Sequence, residues 1–165
     1  MLEFHKQKPK NPSKTDPEKR IKDFQEIYSQ FDNKTSVEQS SRCSQCGVPY
    51  CQIHCPLNNN IPDWLKYIAE DRLEEAYQVS SSTNVFPEVC GRVCPQDRLC
   101  EGNCVVEQAG FGAITIGTLE SVIFKNCDLA PDLGGSIIMA LNFFNSSDVK
   151  GLLFRFLDCV ITLFP

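Results

Sequence analysis

Apolar residues recur along this chain at helical spacing, and this pattern predicts a mainly α-helical fold. The segment that opens at Asp16-Pro17 has its apolar positions three or four residues apart, as on one face of a helix. These positions are Ile21, Phe24, Ile27, Tyr28 and Phe31. We therefore predict a first helix across this segment.

Capping residues mark the expected starts of three further helices. Thr35 and Glu38 have the spacing of a capping box, which predicts a short helix from Thr35 to about Ser41. Asn60 is suited to cap a helix, and Asp71 can begin the next one. The segment GAITIG is the candidate for a short extended piece. Before it, no run of alternating apolar and polar residues is long enough for a central strand. The predicted fold class is mainly α.

Length, charge and the amino terminus narrow the class of protein. The chain has 165 residues, 22% of them charged, and a formal net charge of -5, which predicts one domain of modest size. Nucleic acid and membrane are not expected partners, because both attract an excess of Lys and Arg. No apolar run typical of a secretory signal opens the chain, so we expect a cytoplasmic protein. Residues 1–22 are predicted to be a basic, disordered leader.

Cysteine is the residue type that points to chemistry. Ten cysteines are present, and eight of them lie in two groups of four between residues 43 and 104. In a reducing cytosol such cysteines are metal ligands or redox groups more often than disulfides. The first group is Cys43, Cys46, Cys51 and Cys55, and the second is Cys90, Cys94, Cys100 and Cys104.

The spacing within the first group favours an iron–sulfur cluster. Two, four and three residues separate its cysteines, and Pro56 follows Cys55, close to the bacterial ferredoxin run C-x2-C-x2-C-x3-C-P. In that run the cysteine before proline serves a different cluster from the other three. In the second group Pro95 follows Cys94. Eight thiolates can supply two sites of four ligands each.

Two structural zinc sites would also use eight cysteines, so a zinc-binding interaction module is the alternative. Zinc ribbons usually pair one C-x2-C with a second, whereas both groups here contain four cysteines with wider steps and a Cys-Pro pair. The spacing therefore favours iron–sulfur clusters over zinc.

Three segments carry a family resemblance: RCSQCGVPYCQIHCPLNNNIPDW, FPEVCGRVCPQDRLCEGNCV and GAITIGTLE. They resemble the N-terminal iron–sulfur domain shared by the small subunit of NADPH-dependent glutamate synthase and by dihydropyrimidine dehydrogenase. The resemblance spans about residues 24–125 and is closer to the glutamate synthase branch. It implies an α-helical ferredoxin-like domain wrapped around two [4Fe–4S] clusters.

The resemblance also implies a crossed set of ligands. Cys43, Cys46 and Cys51 would share one cluster with Cys104. The second cluster would be held by Cys55, Cys94, Cys100 and the side chain of Glu120, with Cys90 as a spare thiol. A model that uses eight cysteines instead puts Cys90 in the place of Glu120, and the sequence does not choose between the two.

The function implied is electron transfer from an NADPH-reduced FAD toward the FMN of a partner, in glutamate biosynthesis. The dinucleotide-binding motif G-x-G-x-x-G is absent, so FAD and NADPH would belong to a missing domain or a partner. The expected partners are a flavoprotein domain or subunit and the large subunit of glutamate synthase. The chain is an expected oxidoreductase component that does not catalyse alone.

The resemblance ends near residue 125. We predict a helical iron–sulfur domain over residues 23–125 and an unrelated tail over residues 126–165. The apolar runs of that tail are broken by charged and polar residues, and neither reaches the length of a membrane span. Because the chain stops before a flavin domain, a non-functional truncated fragment is a further alternative.

Overall fold

The computed structural model describes residues 1–22 and 26–126, and eight α-helices lie in these ranges. A single 3₁₀ turn, Glu3–His5, precedes them. The helices are α1 Pro17–Arg20, α2 Asn33–Ser40, α3 Tyr50–Ile53, α4 Ile61–Ala69, α5 Leu73–Ser81, α6 Pro87–Val93, α7 Val105–Gln108 and α8 Ile116–Asn126. The described residues contain no strand, only an isolated antiparallel bridge between Lys14 and Tyr28. The predicted mainly α class is confirmed.

Helices α4 and α8 supply most of the core. On α4, Trp64, Leu65 and Ile68 are at most 1% exposed, and their spacing puts them on one face of the helix. Helix α4 packs against α2 and α5, and α8 packs against α5 and α6. On α8 the buried residues include Leu119 and Ile123. Burial of these apolar faces is the main driving force for the arrangement.

A buried hydrogen-bond chain joins the start of α4 to the end of α5. The Trp64 indole N–H donates to Asn59 Oδ1 at 2.9 Å, and the Asn59 amide donates to the Ser80 carbonyl at 3.1 Å. All three residues are at most 2% exposed. Asn59 therefore satisfies polar groups that have no access to water.

The predicted first helix begins where expected, at Pro17 after Asp16, but it is much shorter than predicted. Helix α1 ends at Arg20, and Ile21 is 83% exposed. Beyond the gap the chain is extended, since Thr15 N–H donates to the Ile27 carbonyl at 2.7 Å and Ser29 N–H donates to Ser13 at 2.8 Å. Phe24, also part of that prediction, lies outside the described residues. Backbone pairing with residues 13–15 has replaced the helix that the apolar spacing predicts.

Two of the three later helix starts are shifted, whereas α4 begins at Ile61, directly after Asn60, as predicted. Helix α2 begins at Asn33, and its cap is Asp32, whose carboxylate accepts from Thr35 N–H at 2.9 Å. Helix α5 begins after Arg72, while Asp71 has a left-handed φ of 60°. The capping box and the Asp71 start are therefore wrong.

The GAITIG segment forms no strand. Residues 112–115 have no regular secondary structure, and Ile116 begins α8. A short apolar run is ambiguous between strand and helix, and here its second half supplies the buried first turn of α8.

The first ten residues contact the end of α2. Leu2 N–H donates to the Cys43 carbonyl and Glu3 N–H to the Ser41 carbonyl, both at 2.9 Å. Lys10 N–H donates to Gln39 Oε1 at 2.9 Å. These bonds give the leader a docked position beside the first cysteine, a contact that its composition did not predict. Its disorder and the division into domains stay predictions.

Within the described ranges, no helix combines the length and the apolar character needed to cross a bilayer. The predicted tail, with Cys127 and Cys159, lies outside the described residues except for its first residue, Asn126, which ends α8.

Replacing Asn59 tests the buried hydrogen-bond chain. We expect Asn59→Leu to lower the apparent thermal midpoint by about 5 °C, because the Trp64 N–H loses its acceptor inside the core. Asn33→Leu is the matched control, since the exposed Asn33 amide donates to the exposed Asp71 carboxylate at 2.7 Å. Circular dichroism on both variants gives the comparison, and equal midpoints would contradict a role for the Asn59 bonds.

Candidate metal centres

The structure sorts the eight cysteines of the two groups into two cavities. The first cavity is lined by Cys43, Cys46, Cys51 and Cys104. The second cavity is lined by Cys55, Cys90, Cys94, Cys100 and Glu120. Each cavity therefore combines residues from both sequence groups, and the last cysteine of each group lines the cavity of the other group.

The first cavity is formed where the chain leaves α2 and enters α3. Gln45 has a left-handed φ of 51°, and its side-chain amide donates to the Pro62 carbonyl at 2.7 Å and to Cys43 Sγ at 3.4 Å. The Ser44 hydroxyl lies 2.9 Å from Cys46 Sγ. These contacts fix the loop that carries the first two thiols.

The second cavity lies between α6 and α8. Cys90 is on α6, and Cys94 ends that helix with an extended backbone. A Cβ on Gly91 would lie 2.6 Å from the Gly117 carbonyl oxygen and 2.5 Å from Ser121 Oγ. Only glycine permits this close approach of the two helices. The approach brings Glu120 on α8 to the cavity that Cys90 lines.

One apolar side chain lines both cavities. Ile116, at the start of α8, is 2% exposed and contributes to both walls. Cys51 and Cys55 lie only four residues apart in the sequence, yet Cys51 lines the first cavity and Cys55 lines the second. The two sets of thiols are thus neighbours across a shared wall.

Burial shifts the titration of the thiols. Desolvation raises the pKa of Cys51 and of Cys90 to about 12, and it raises the pKa of Cys43, Cys94 and Cys100 as well. Neighbouring groups add to this: Cys104 and Cys43 act on Cys51, and Cys94 and Glu120 act on Cys90. Without a cation these thiols keep their protons at neutral pH, and metal binding must displace them.

Glu120 is a buried carboxyl group with a neutral partner. It is 8% exposed, and its Oε1 accepts from the Asn84 amide at 2.8 Å. Burial raises the pKa of Glu120 to about 7. Asn84 also accepts from Cys90 Sγ at 3.6 Å, so it lies between the two candidates for the same ligand position.

Cysteine thiolates are the ligands that hold iron–sulfur clusters, so the donor set fits a cluster. Among the described residues, no three His, Cys, Asp or Glu side chains are grouped closely enough to hold one metal ion. A tetrahedral zinc site with Zn–S bonds of about 2.3 Å needs its sulfurs only about 3.8 Å apart. In a cubane each thiolate binds a different iron, so the ligands are more widely spaced.

The volumes of the cavities depend on the cysteine rotamers and are a weaker guide than the donors. They measure about 20 Å³ for the first cavity and about 190 Å³ for the second. Turning a cysteine about its single χ1 bond moves the sulfur that borders the void. The fit therefore rests on the donors, which are four thiols in the first cavity and four thiols with one carboxyl group in the second.

Sequence analysis missed Arg42, Gln45 and Asn84. Arg42 precedes Cys43 and has a buried guanidinium, and Gln45 is a loop residue with a left-handed backbone. The Asn84 amide bonds both Glu120 and Cys90. A single polar residue has no periodic or spaced pattern. Its adjacency to a cysteine, as in Arg42-Cys43, is the only signal that could have drawn attention to it.

A helical fold with two thiol-lined cavities defines the class of small iron–sulfur proteins. Residues 20–129 match the family model described as dihydropyrimidine dehydrogenase domain II, 4Fe-4S cluster. The chain belongs to this family of iron–sulfur electron-transfer domains. The resemblance that its three cysteine-rich segments carry is confirmed.

The curated relatives include several glutamate synthase small chains. The chain is 59% identical over 123 residues to the glutamate synthase [NADPH] small chain of Azospirillum brasilense, covering 74% of this chain and 26% of that protein. It is 50% identical over 115 residues to the protein of the same name from Escherichia coli K12, covering 70% and 23%. The chain thus spans about a quarter of the length of these relatives.

Gly91 offers a test of how the second cavity is built. We expect Gly91→Ala to lower the apparent thermal midpoint by at least about 5 °C and to reduce iron content, because α6 and α8 must separate. Gly47→Ala is the control, since a Cβ there meets nothing within 4 Å. Iron assays and thermal melting of both variants give the comparison. A Gly91→Ala protein with the wild-type thermal midpoint and iron content would contradict the close-packing argument.

Proposed function

We propose that this chain is an electron-relay domain that holds two [4Fe–4S] clusters. Cys43, Cys46, Cys51 and Cys104 would hold the first, and Cys55, Cys94, Cys100 and Glu120 the second. The observation that carries the proposal is the sorting of two sequence groups into two mixed cavities. Membership of an iron–sulfur family supplies the chemistry of the ligated group.

Glu120 is preferred over Cys90 as the fourth ligand of the second cluster. Its carboxyl group is buried with a neutral amide as its hydrogen-bond partner, and a buried carboxylate is stable only when a cation or strong donors offset its charge. Iron in the second cavity would offset it. Cys90 then serves as a neutral thiol that donates to Asn84.

The residues of this chain would bind the clusters, exclude water and keep the two clusters close. Leu65 and Ile114 line the first cavity, and Ile61 and Leu99 line the second. Such apolar walls limit solvent access, which is one determinant of cluster potential. Ile116 lines both cavities, so an electron moving from one cluster to the other would have to cross only this shared wall.

The names of two relatives support a proposal for the source and destination of the electrons. Both are called glutamate synthase [NADPH] small chain. We infer that electrons come from FAD, reduced by NADPH on a flavoprotein domain or subunit, and go toward FMN on a glutamate synthase large subunit in the cytoplasm. This chain would be the relay in glutamate biosynthesis, and catalysis would require those partners.

Metal analysis tests the cluster count. Protein purified without oxygen is expected to contain about eight iron and eight acid-labile sulfide per chain, with a brown colour that dithionite bleaches. About four of each would mean one cluster. About two zinc without sulfide would overturn the proposal and leave a structural zinc module.

Two substitutions test the ligand choice in the second cavity. We expect Glu120→Ala to leave about four iron per chain and Cys90→Ser to keep about eight, because only the first removes a ligand. Iron and sulfide assays with the visible spectrum give the comparison. The reverse pattern would assign Cys90 as the ligand and Glu120 as its neighbour.

A further inference from the structure

Arg42, the residue before the first cysteine of the first cavity, is fully buried. Its exposed fraction is 0%, which is rare for a side chain that is always charged. Four backbone carbonyls accept its hydrogen bonds: Gln7 from Nε at 3.1 Å, Ala113 from Nη1 at 2.6 Å, and Phe111 and Gly112 from Nη2 at 3.0 and 2.7 Å. Each nitrogen of the guanidinium therefore has at least one acceptor.

The positive charge of Arg42 is not satisfied by these bonds. A carbonyl is a dipole without net charge, and burying an unpaired ion costs several kcal/mol. None of the ion pairs between described residues includes Arg42. The groups whose charge acts on it are Cys104 and then Glu107, and Cys104 lines the first cavity.

The loop that binds Arg42 is shaped for a cation. Gly110 and Gly112 have left-handed φ values of 82° and 80°, and the carbonyls of residues 111–113 all accept from the guanidinium. A Cβ on Gly112 would lie 2.6 Å from Pro9 Cγ. The leader and this loop thus enclose the charge beside the thiols.

We propose that Arg42 is the buried counter-charge of the cluster in the first cavity and raises the reduction potential of that cluster. A cubane held by four thiolates is net negative, and reduction adds one more negative charge. A fixed cation nearby in a low-dielectric interior stabilises the reduced form more than the oxidised form. This inference rests on the proposed function, because it requires a cluster in the first cavity.

Two variants separate the charge of Arg42 from its hydrogen bonds. Arg42→Lys keeps a positive charge but loses most of the bonds, whereas Arg42→Gln loses the charge. Redox titration of the cluster-loaded protein at pH 6.5 gives the potentials, and Glu120→Ala, which is expected to lose the second cluster, identifies the remaining step as that of the first. Arg92→Gln is the control, since Arg92 pairs with the Glu26 carboxylate at 3.2 Å and is part-exposed.

At the wild-type midpoint, we expect the first cluster of Arg42→Gln to be at least about tenfold more oxidised, which corresponds to about 59 mV. Arg42→Lys is expected to stay within about threefold of wild type, and Arg92→Gln should leave the first step unchanged. If Arg42→Gln yields no folded protein, Arg42→Lys still decides, because a tenfold shift in a variant that keeps the charge would overturn the inference.

Unchanged potentials in both Arg42 variants at full iron content would also overturn the inference and leave Arg42 as a structural clamp. That result differs from a failure of the proposed function, which would appear as wild-type protein without iron or sulfide. Thermal midpoints measured alongside report the loss of the carbonyl bonds, which both variants share. Only the reduction potential of the first cluster distinguishes an effect of the Arg42 charge from an effect of its hydrogen bonds.

Discussion

The gathering of eight buried or partly buried cysteine thiols into two cavities is the constraint on which the rest of this structure depends. Burial raises the pKa of most of these thiols, so the cavities disfavour thiolates until a cation enters. The fold brings at least four donors to each void and lines the rest of it mainly with apolar side chains. Folding and metal binding are therefore coupled, because the site that holds the cation also completes the core.

The close packing of α6 on α8 builds the second of these two cavities. Gly91 allows the two helices to approach, and Ile116 at the start of α8 lines both cavities. Glu101, which lies between two of the cysteines, accepts from Gly117 N–H at 3.0 Å and thereby caps α8. The helix that separates the two sets of thiols is thus held by the loop that carries Cys100 and Cys104.

Sequence reasoning succeeded where one physical effect dominates. The apolar face of α4 packs in the core as its spacing predicts, because burial of Trp64 and Ile68 outweighs other terms. Over residues 21–31 the same spacing was misleading, since Tyr28 pairs with Lys14 and interacts with the Arg92 cation at 5.1 Å. Cysteine spacing located the donors, whereas Asn84 and Arg42 act through tertiary contacts that leave no pattern in the sequence.

The two cavities differ in charge although they share a wall. Beside the first lies the buried Arg42 guanidinium, and Gln45 donates to Cys43 Sγ from its backbone N–H and its side-chain amide, at 3.5 and 3.4 Å. Beside the second lies the carboxyl group of Glu120. Cations and N–H donors near sulfur favour the reduced state of a cluster. The proposed Glu120 ligand takes the place of a thiolate and brings the same charge. Clusters in these cavities would therefore be unequal electron acceptors, with the first favoured by Arg42 and Gln45.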